Sequence, residues 1–312
     1  MSTPTALKLP AGVRRTTIRT ARGAFAALEA IPASGVCERE GALLVPGYTG
    51  SKEDFTAILD LLADGSRQVV AIDMRGQFET AGSGEPDGYA AAALGADILA
   101  VIRETGARHL VGHSYGGLVG REAVLAAGGT GFASFTLMSS GPAALTGPRA
   151  RELRAMLAAL GLDGPRAGAL PEAASLRAGI ADIWRVHLEP QAVAAAVPAP
   201  VVAFLGRRML ANDPAGLVLM ARHMLAAPDR TAELARLVDL PVLVIYGQDD
   251  NSWSPEAQED MAVRLGARRV CIPGAMHSPA VEAPATTSSA LTQFWNAAES
   301  ATARRTAAAR PA

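Results

Sequence analysis

The chain has little lysine, few aromatic residues, two cysteines and almost no net charge, and each scarcity excludes something. Cys37 and Cys271 form no disulfide framework and have no metal-ligand spacing, so neither a stapled secreted scaffold nor a zinc module fits. One pair in 312 residues leaves a disulfide open and suits a reducing compartment equally well. The formal net charge of −1 argues against a general nucleic-acid binder and against a polybasic membrane anchor. No window approaches 18 uninterrupted apolar residues, and Met1 to Gly12 lacks an apolar signal-peptide core. Together these point to a soluble cytoplasmic protein. Lysine occurs only at Lys8 and Lys52, which, with the abundant alanine, reads as the coding bias of a high-GC bacterial genome. Aromatics make up 4% of the residues, so the core has to be built mainly from alanine, valine and leucine.

What the chain does have is a rhythm of short apolar strands and helices. Arg15–Arg19 and Ala24–Ile31 read as two β segments turning at Arg22-Gly23. Ala42–Val45 is a buried strand ending in Pro46-Gly47, and Phe55, Ile58, Leu59 and Leu62 follow at helical spacing, with Ser51 and Asp54 able to cap the start. Strand Gln68–Ile72, helix Ala90–Arg103, strand His109–Gly112, helix Leu118–Ala127 and strand Phe132–Met138 complete the first part. From Pro142 to about Asp239 there are helical patterns broken by Pro148, Pro165, Pro171, Pro190, Pro198, Pro200, Pro214 and Pro228. Within it Val201–Leu205 fits either a strand or a helix turn. Strand Val242–Tyr246, helix Pro255–Leu265, strand Arg269–Ile272 and helix Pro284–Ala298 then follow. Short apolar strands separated by helices predict a doubly wound, mostly parallel sheet with helices on both faces. The expected organisation is a core of residues 1–141 and 240–300, a helical insertion at 142–239, and an unstructured Ala/Arg-rich tail at 301–312.

The chemistry centres on Gly112-His113-Ser114-Tyr115-Gly116-Gly117. A serine at G-x-S-x-G spacing, between a strand and a helix, predicts a sharp turn that forces the serine into unfavourable backbone angles. Its flanking positions must be small because strand and helix backbones pass close together there. A serine hydroxyl is a poor nucleophile at neutral pH and needs a base, which in turn needs a carboxylate to hold its tautomer. Of the five histidines, His109 lies in the strand, His113 sits in the turn and cannot fold back onto Ser114, and His187 and His223 lie in the insertion. Only His277 sits on a loop at the carboxyl end of a strand, where open α/β sheets place their sites. The acid should leave another strand between serine and histidine, and the loop Gly247 to Pro255 offers both Asp249 and Asp250. The oxyanion that develops in acyl transfer needs donors, and one is the main-chain N–H of Tyr115.

With these motifs in this order, the chain resembles the α/β-hydrolase superfamily, in its lipase/esterase and haloperoxidase-like group, over Thr16–Gly141 and Leu240–Ala298. The family's acid loop is similar to G-x-x-D with proline four or five residues on, which implies Asp250 as the acid and leaves Asp249 to cap a turn or to be solvated. Pro46-Gly47-Tyr48-Thr49-Gly50 resembles the family's oxyanion loop, with proline where histidine is often found, and implies the Tyr48 N–H as second donor. The Tyr48 ring then either lines the pocket or packs against the insertion. Asp73-Met74-Arg75-Gly76 resembles another family loop, whose continuation is replaced here by Gln77-Phe78-Glu79-Thr80. Asp73 and Arg75 are expected to brace it, and Glu79 and Glu85 to be solvated.

The resemblance implies a serine hydrolase without cofactor or metal, acting on an ester, thioester or lactone. Perhydrolase chemistry and C–C bond hydrolysis use the same triad, and a ligand receptor that retains the fold without turnover is the alternative of another class. Ser114 argues against the epoxide hydrolases and dehalogenases of this fold, whose nucleophile is an aspartate. Family caps sit where the insertion does. Trp184, Phe204, Met209, Met220 and Met224 give it either an apolar underside, suiting a small-molecule substrate with an apolar acyl or aromatic group, or simply a core. No nucleic-acid or membrane-spanning partner is expected, and oligomeric state is not legible.

Overall fold

A computed structural model describes residues 2–162 and 170–308. Eight strands form one sheet: β1 (Val13–Thr20), β2 (Gly23–Ala30), β3 (Ala42–Val45), β4 (Val69–Ile72), β5 (His109–His113), β6 (Ser134–Met138), β7 (Val242–Gly247) and β8 (Arg268–Ile272). Their spatial order is β1-β2-β4-β3-β5-β6-β7-β8. β1 and β2 pair antiparallel, β2 meets β4 antiparallel, and every later neighbour is parallel. The doubly wound, mostly parallel α/β sheet anticipated from the strand rhythm is therefore present.

Alternate side chains of the central strands enter two separate apolar layers, which is why these strands read as unbroken apolar runs. Leu43, Val45, Val70, Ile72, Leu110, Phe135, Leu137 and Val244 face one layer. Helices α2 (Ala91–Thr105), α3 (Tyr115–Ala126) and α10 (Pro255–Leu265) close it. Leu44, Val69, Ala71, Val111, Met138, Leu243 and Ile245 face the other, covered by α1 (Thr56–Ala63) and α12 (Pro284–Ala308). A short helix α11 (Pro279–Glu282) leads into α12.

Between β6 and β7 the described residues hold only helices: α4 (Gly147–Ala159), α5 (Ala173–Ile183), α6 (Glu189–Ala194), α7 (Ala199–Ala211), α8 (Pro214–Ala226) and α9 (Thr231–Ala235). Val201–Leu205 belongs to α7, so the helical alternative is the right one; the expected break at Pro165 lies outside the described residues. Trp184, Phe204 and Met209 pack together inside the insertion, while Met220 and Met224 join the first layer against the sheet. A buried ion pair pins the insertion down: Arg208 on α7 donates from Nη1 to Asp54 Oδ1 (2.6 Å) and from Nη2 to the Ser2 carbonyl (2.6 Å).

Most element ends shift by one or two residues from the sequence expectation, and two helix limits move further. Helix α3 starts at Tyr115 rather than Leu118, because Gly116 and Gly117 hide a helical pattern although they lie in its first turn. Of the tail expected to be unstructured, 301–308 is helix, and 309–312 lie outside the described residues. An alanine-rich stretch that extends an existing helix bears no nucleation cost, and Thr302 Oγ1 donates to the Ala298 carbonyl (3.1 Å). Cys37 and Cys271 are both free and exposed. Among the described residues no helix is long and apolar enough to cross a membrane.

Candidate active site

Strand β5 runs into Ser114, whose N–H donates to the Met138 carbonyl (2.8 Å) and so continues the ladder to β6. Ser114 itself has φ 53° and ψ −120°, a backbone state that L-residues rarely adopt. The turn is possible because a side chain is missing on both sides. A Cβ on Gly112 would come within 2.3 Å of the Gly116 carbonyl oxygen, and one on Gly116 within 2.5 Å of the Pro46 and Val45 oxygens. The serine is thereby lifted off the carboxyl edge of the sheet.

His277 lies beyond β8, after the Gly274-Ala275 turn. Its Nε2 is 3.0 Å from Ser114 Oγ, and its Nδ1 is 2.9 Å from Asp250 Oδ1. Asp250 leaves the end of β7 with its side chain fully buried. Oδ1 also accepts the Ser252 N–H (2.9 Å), and Oδ2 accepts from Gln258 Nε2 (3.0 Å). An acceptor-only carboxylate requires Nδ1 to carry the imidazole proton, which leaves Nε2 free to accept from the Ser114 hydroxyl. Asp249 is exposed, and its N–H donates to the Ala275 carbonyl (3.0 Å). Ser114, His277 and Asp250 thus meet, while Asp249 braces the adjacent turn.

Gly47 closes the site from β3: a Cβ there would lie 2.9 Å from Ser114 Cβ and 3.3 Å from its Oγ. The next residue, Tyr48, and Tyr115 at the start of α3 both present main-chain N–H groups for which no acceptor is found among the described residues. The positive end of α3 adds to the Tyr115 donor. The Tyr48 ring bridges the core and the insertion, with Oη 3.8 Å from Met156 Sδ, so of its two placements the packed one is seen. Burial raises the Tyr48 and Tyr115 phenols well above their usual range, each helped by a neighbour: Tyr115 for Tyr48, and Glu122 for Tyr115.

The other histidines are engaged elsewhere. His109 stacks on Trp295 and bonds Ser134 and Glu299, His187 is exposed, and His223 Nδ1 meets Tyr115 Oη at 3.1 Å. His113 does not reach Ser114, but its Nε2 is 2.8 Å from the His277 carbonyl. Burial, followed by the neighbouring His277, lowers the His113 imidazole to about 3 and keeps it neutral.

Asp73 and Arg75 brace loops, as expected. Asp73 accepts from Lys52 N (2.7 Å) and Nζ (2.8 Å), and Arg75 forks onto Asp97 (2.6 and 2.8 Å). Burial pushes the Asp73 carboxyl up to about 7 against the opposing pull of Lys52. Glu79 is exposed, as expected of a solvated residue, and at the same time pairs with the buried Lys52 Nζ at 2.6 Å. Glu85 is exposed.

Gln258 and Gln77 both escaped the sequence reading. Gln258 supports Asp250, and its signal was a glutamine at i with Met261 and Ala262 at i+3 and i+4 on the buried face of α10. Gln77 donates to the Gly47 carbonyl (2.9 Å) and so holds the loop beside Ser114; its signal was the departure from the family pattern at that position.

Residues 42–290 match the model of the alpha/beta hydrolase family. Among solved structures, a thermophilic esterase from Thermogutta terrifontis is 23% identical, with 91% of this chain and 99% of that one aligned at a TM-score of 0.68. A hydrolase from Pseudomonas aeruginosa is 25% identical (91% and 99% covered, TM-score 0.66). An enol-lactonase from Burkholderia xenovorans is 18% identical (90% and 100% covered, TM-score 0.65). No curated protein sequence matches the chain. With four fifths of its length in the family model and the same fold in these structures, the chain belongs to the alpha/beta hydrolase family of enzymes.

Proposed function

We propose that the protein is a serine hydrolase that cleaves an ester, thioester or lactone through an acyl-enzyme intermediate. The observation that carries this is the unbroken chain from Ser114 Oγ to His277 Nε2 (3.0 Å) and from His277 Nδ1 to Asp250 (2.9 Å). Ser114 Oγ attacks the substrate carbonyl as its proton passes to His277 Nε2. The resulting imidazolium is stabilised by Asp250 and returns the proton to the leaving oxygen or sulfur. Water then gives a proton to His277 and attacks the acyl-enzyme, and the imidazolium passes that proton to Ser114 Oγ as the acyl–oxygen bond breaks, releasing the acid and restoring both serine and histidine. The N–H groups of Tyr48 and Tyr115 hold the oxyanion in both steps, and loss of one such donor typically costs on the order of 3 kcal/mol of barrier.

Met156 of the insertion segment lies against Tyr48, the residue after Gly47 beside the serine, which supports an apolar acyl or aromatic group on the substrate. The enol-lactonase among the structures of like fold supports keeping lactones in the substrate class. The test is a p-nitrophenyl ester chain-length series run beside aryl esters and lactones, with fluorophosphonate labelling in parallel. Ser114 should take the label, and Ser114→Ala should lose both labelling and turnover with its fold intact. Full turnover by Ser114→Ala, or a folded wild type that resists the probe, refutes the reading.

A further inference from the structure

One buried histidine next to the nucleophile has no part in the proton transfers above. His113 ends β5 with its ring 5.1 Å from the His277 ring, centroid to centroid. A neutral imidazole has a single N–H, and at His113 the only acceptor within reach of Nε2 among the described residues is the His277 carbonyl, 2.8 Å away. The other ring nitrogen faces Gly47, where a Cβ would lie 3.4 Å from Nδ1.

The loop that carries His277 follows β8, an edge strand with a neighbour on one side only. One main-chain group in each of three successive residues, Met276 to Ser278, is nevertheless held by a side chain. The Met276 N–H donates to Glu282 Oε2 (2.5 Å) and the Ser278 N–H to Glu282 Oε1 (3.2 Å), while the His277 carbonyl takes the His113 proton. Glu282 anchors the loop to the helix that follows it; His113 anchors it to the strand that presents Ser114. Lysine or arginine at 113 would also donate, but would set a positive charge beside the imidazolium that forms on His277. A neutral imidazole donates without that penalty.

We propose that His113 is a positioning residue, whose Nε2–H bond to the His277 main chain keeps the base in register with Ser114, with Glu282 fixing the same loop from its other side. This rests on the triad reading above. Two routes then connect nucleophile and base: the side-chain hydrogen bond that breaks and re-forms in each cycle, and a main-chain tether that does not. Because the tether acts on geometry at the reacting atoms, its loss should appear in kcat and leave KM alone.

His113→Phe keeps a ring of similar size without the donor, and His113→Gln restores an N–H. Phenylalanine should lower kcat on a p-nitrophenyl ester, and the rate of fluorophosphonate labelling, on the order of tenfold with KM within about twofold. Glutamine should recover most of that loss. Glu282→Ala, at an exposed side chain, should lower kcat several-fold in the same pattern, and it carries the test alone if His113→Phe does not fold. Wild-type kcat in folded His113→Phe, equal losses in the phenylalanine and glutamine variants, or an unaffected Glu282→Ala overturns the proposal. Ser114→Ala separates the two readings: if it is inactive while His113→Phe is normal, only the positioning role falls.

Discussion

Replacing Asp250 with asparagine changes one atom of the proposed triad, and its cost can be worked out bond by bond. The carboxylate receives three donors: His277 Nδ1–H (2.9 Å) and the Ser252 N–H (2.9 Å) on Oδ1, and Gln258 Nε2 (3.0 Å) on Oδ2. An asparagine has one oxygen to offer. With its oxygen in the Oδ1 position, its amide nitrogen confronts the Gln258 amide nitrogen, and turning Gln258 over would forfeit that side chain's bond to the Trp253 carbonyl (2.9 Å). With its nitrogen in the Oδ1 position, it confronts the Ser252 N–H and drives His277 into the other tautomer, which aims a proton at Ser114. Either way the negative charge that stabilises the imidazolium is gone. A triad carboxylate-to-amide change typically lowers kcat about 10⁴-fold, or about 5 kcal/mol of barrier. Initial rates on a p-nitrophenyl ester over a full concentration range, with circular dichroism to check the fold, measure it. Asp249→Asn is the internal control and should stay within about threefold of wild type, because its carboxylate makes no contact with His277. A folded Asp250→Asn within about tenfold of wild type, or a larger loss at Asp249, would refute the assignment.

Packing and charge give the other expected outcomes. Gly116→Ala places a Cβ 2.5 Å from two main-chain oxygens that cannot move aside, and should cost about 1–3 kcal/mol of stability in urea unfolding. Arg208→Met leaves the Asp54 carboxylate buried without its partner, and should cost about 3–5 kcal/mol. Adding Asp54→Leu to that variant should recover most of the loss, and a melting series of the three proteins checks both statements. Burial holds His113 near 3, against about 6.5 in the unfolded chain, so the unfolded state binds the proton more readily. The stability tied to neutral His113 is therefore complete above about pH 6.5 and is lost as pH falls toward 3, on the order of 2 kcal/mol of it by pH 5. Urea titrations at pH 7.5 and pH 5 should show a larger acid loss in the wild type than in His113→Gln.

The parts of the fold that were readable are those whose signal is local. The strands Ala42–Val45 and Val242–Tyr246 stand out because both of their faces are covered, so every residue is apolar. The turn at Ser114 stands out because only glycine tolerates the approach of two backbones at 112 and 116. The start of α3 was obscured by the same glycines, which lower helix propensity where close packing demands them. The helix over 301–308 leaves no trace in the sequence because it has no apolar stripe, although alanine propensity suffices to continue a helix that has already formed.

What the sequence determined by itself is the order of the chemistry along the chain: a strained serine, an acid loop and a loop histidine, each at a strand's carboxyl end, on a doubly wound sheet. Spacing and backbone strain act over a few residues, so they leave a trace in a single chain. The residues by themselves offered both Asp249 and Asp250 and the family resemblance favoured Asp250; the tertiary structure sets the Asp250 carboxylate against His277 Nδ1 and leaves Asp249 exposed. It alone joined Gln77 to Gly47, His113 to the His277 carbonyl, and Arg208 to Asp54 and Ser2. Those partners lie between 30 and 206 positions apart in the chain, and hydrogen bonds over such separations come from packing, which no local pattern records.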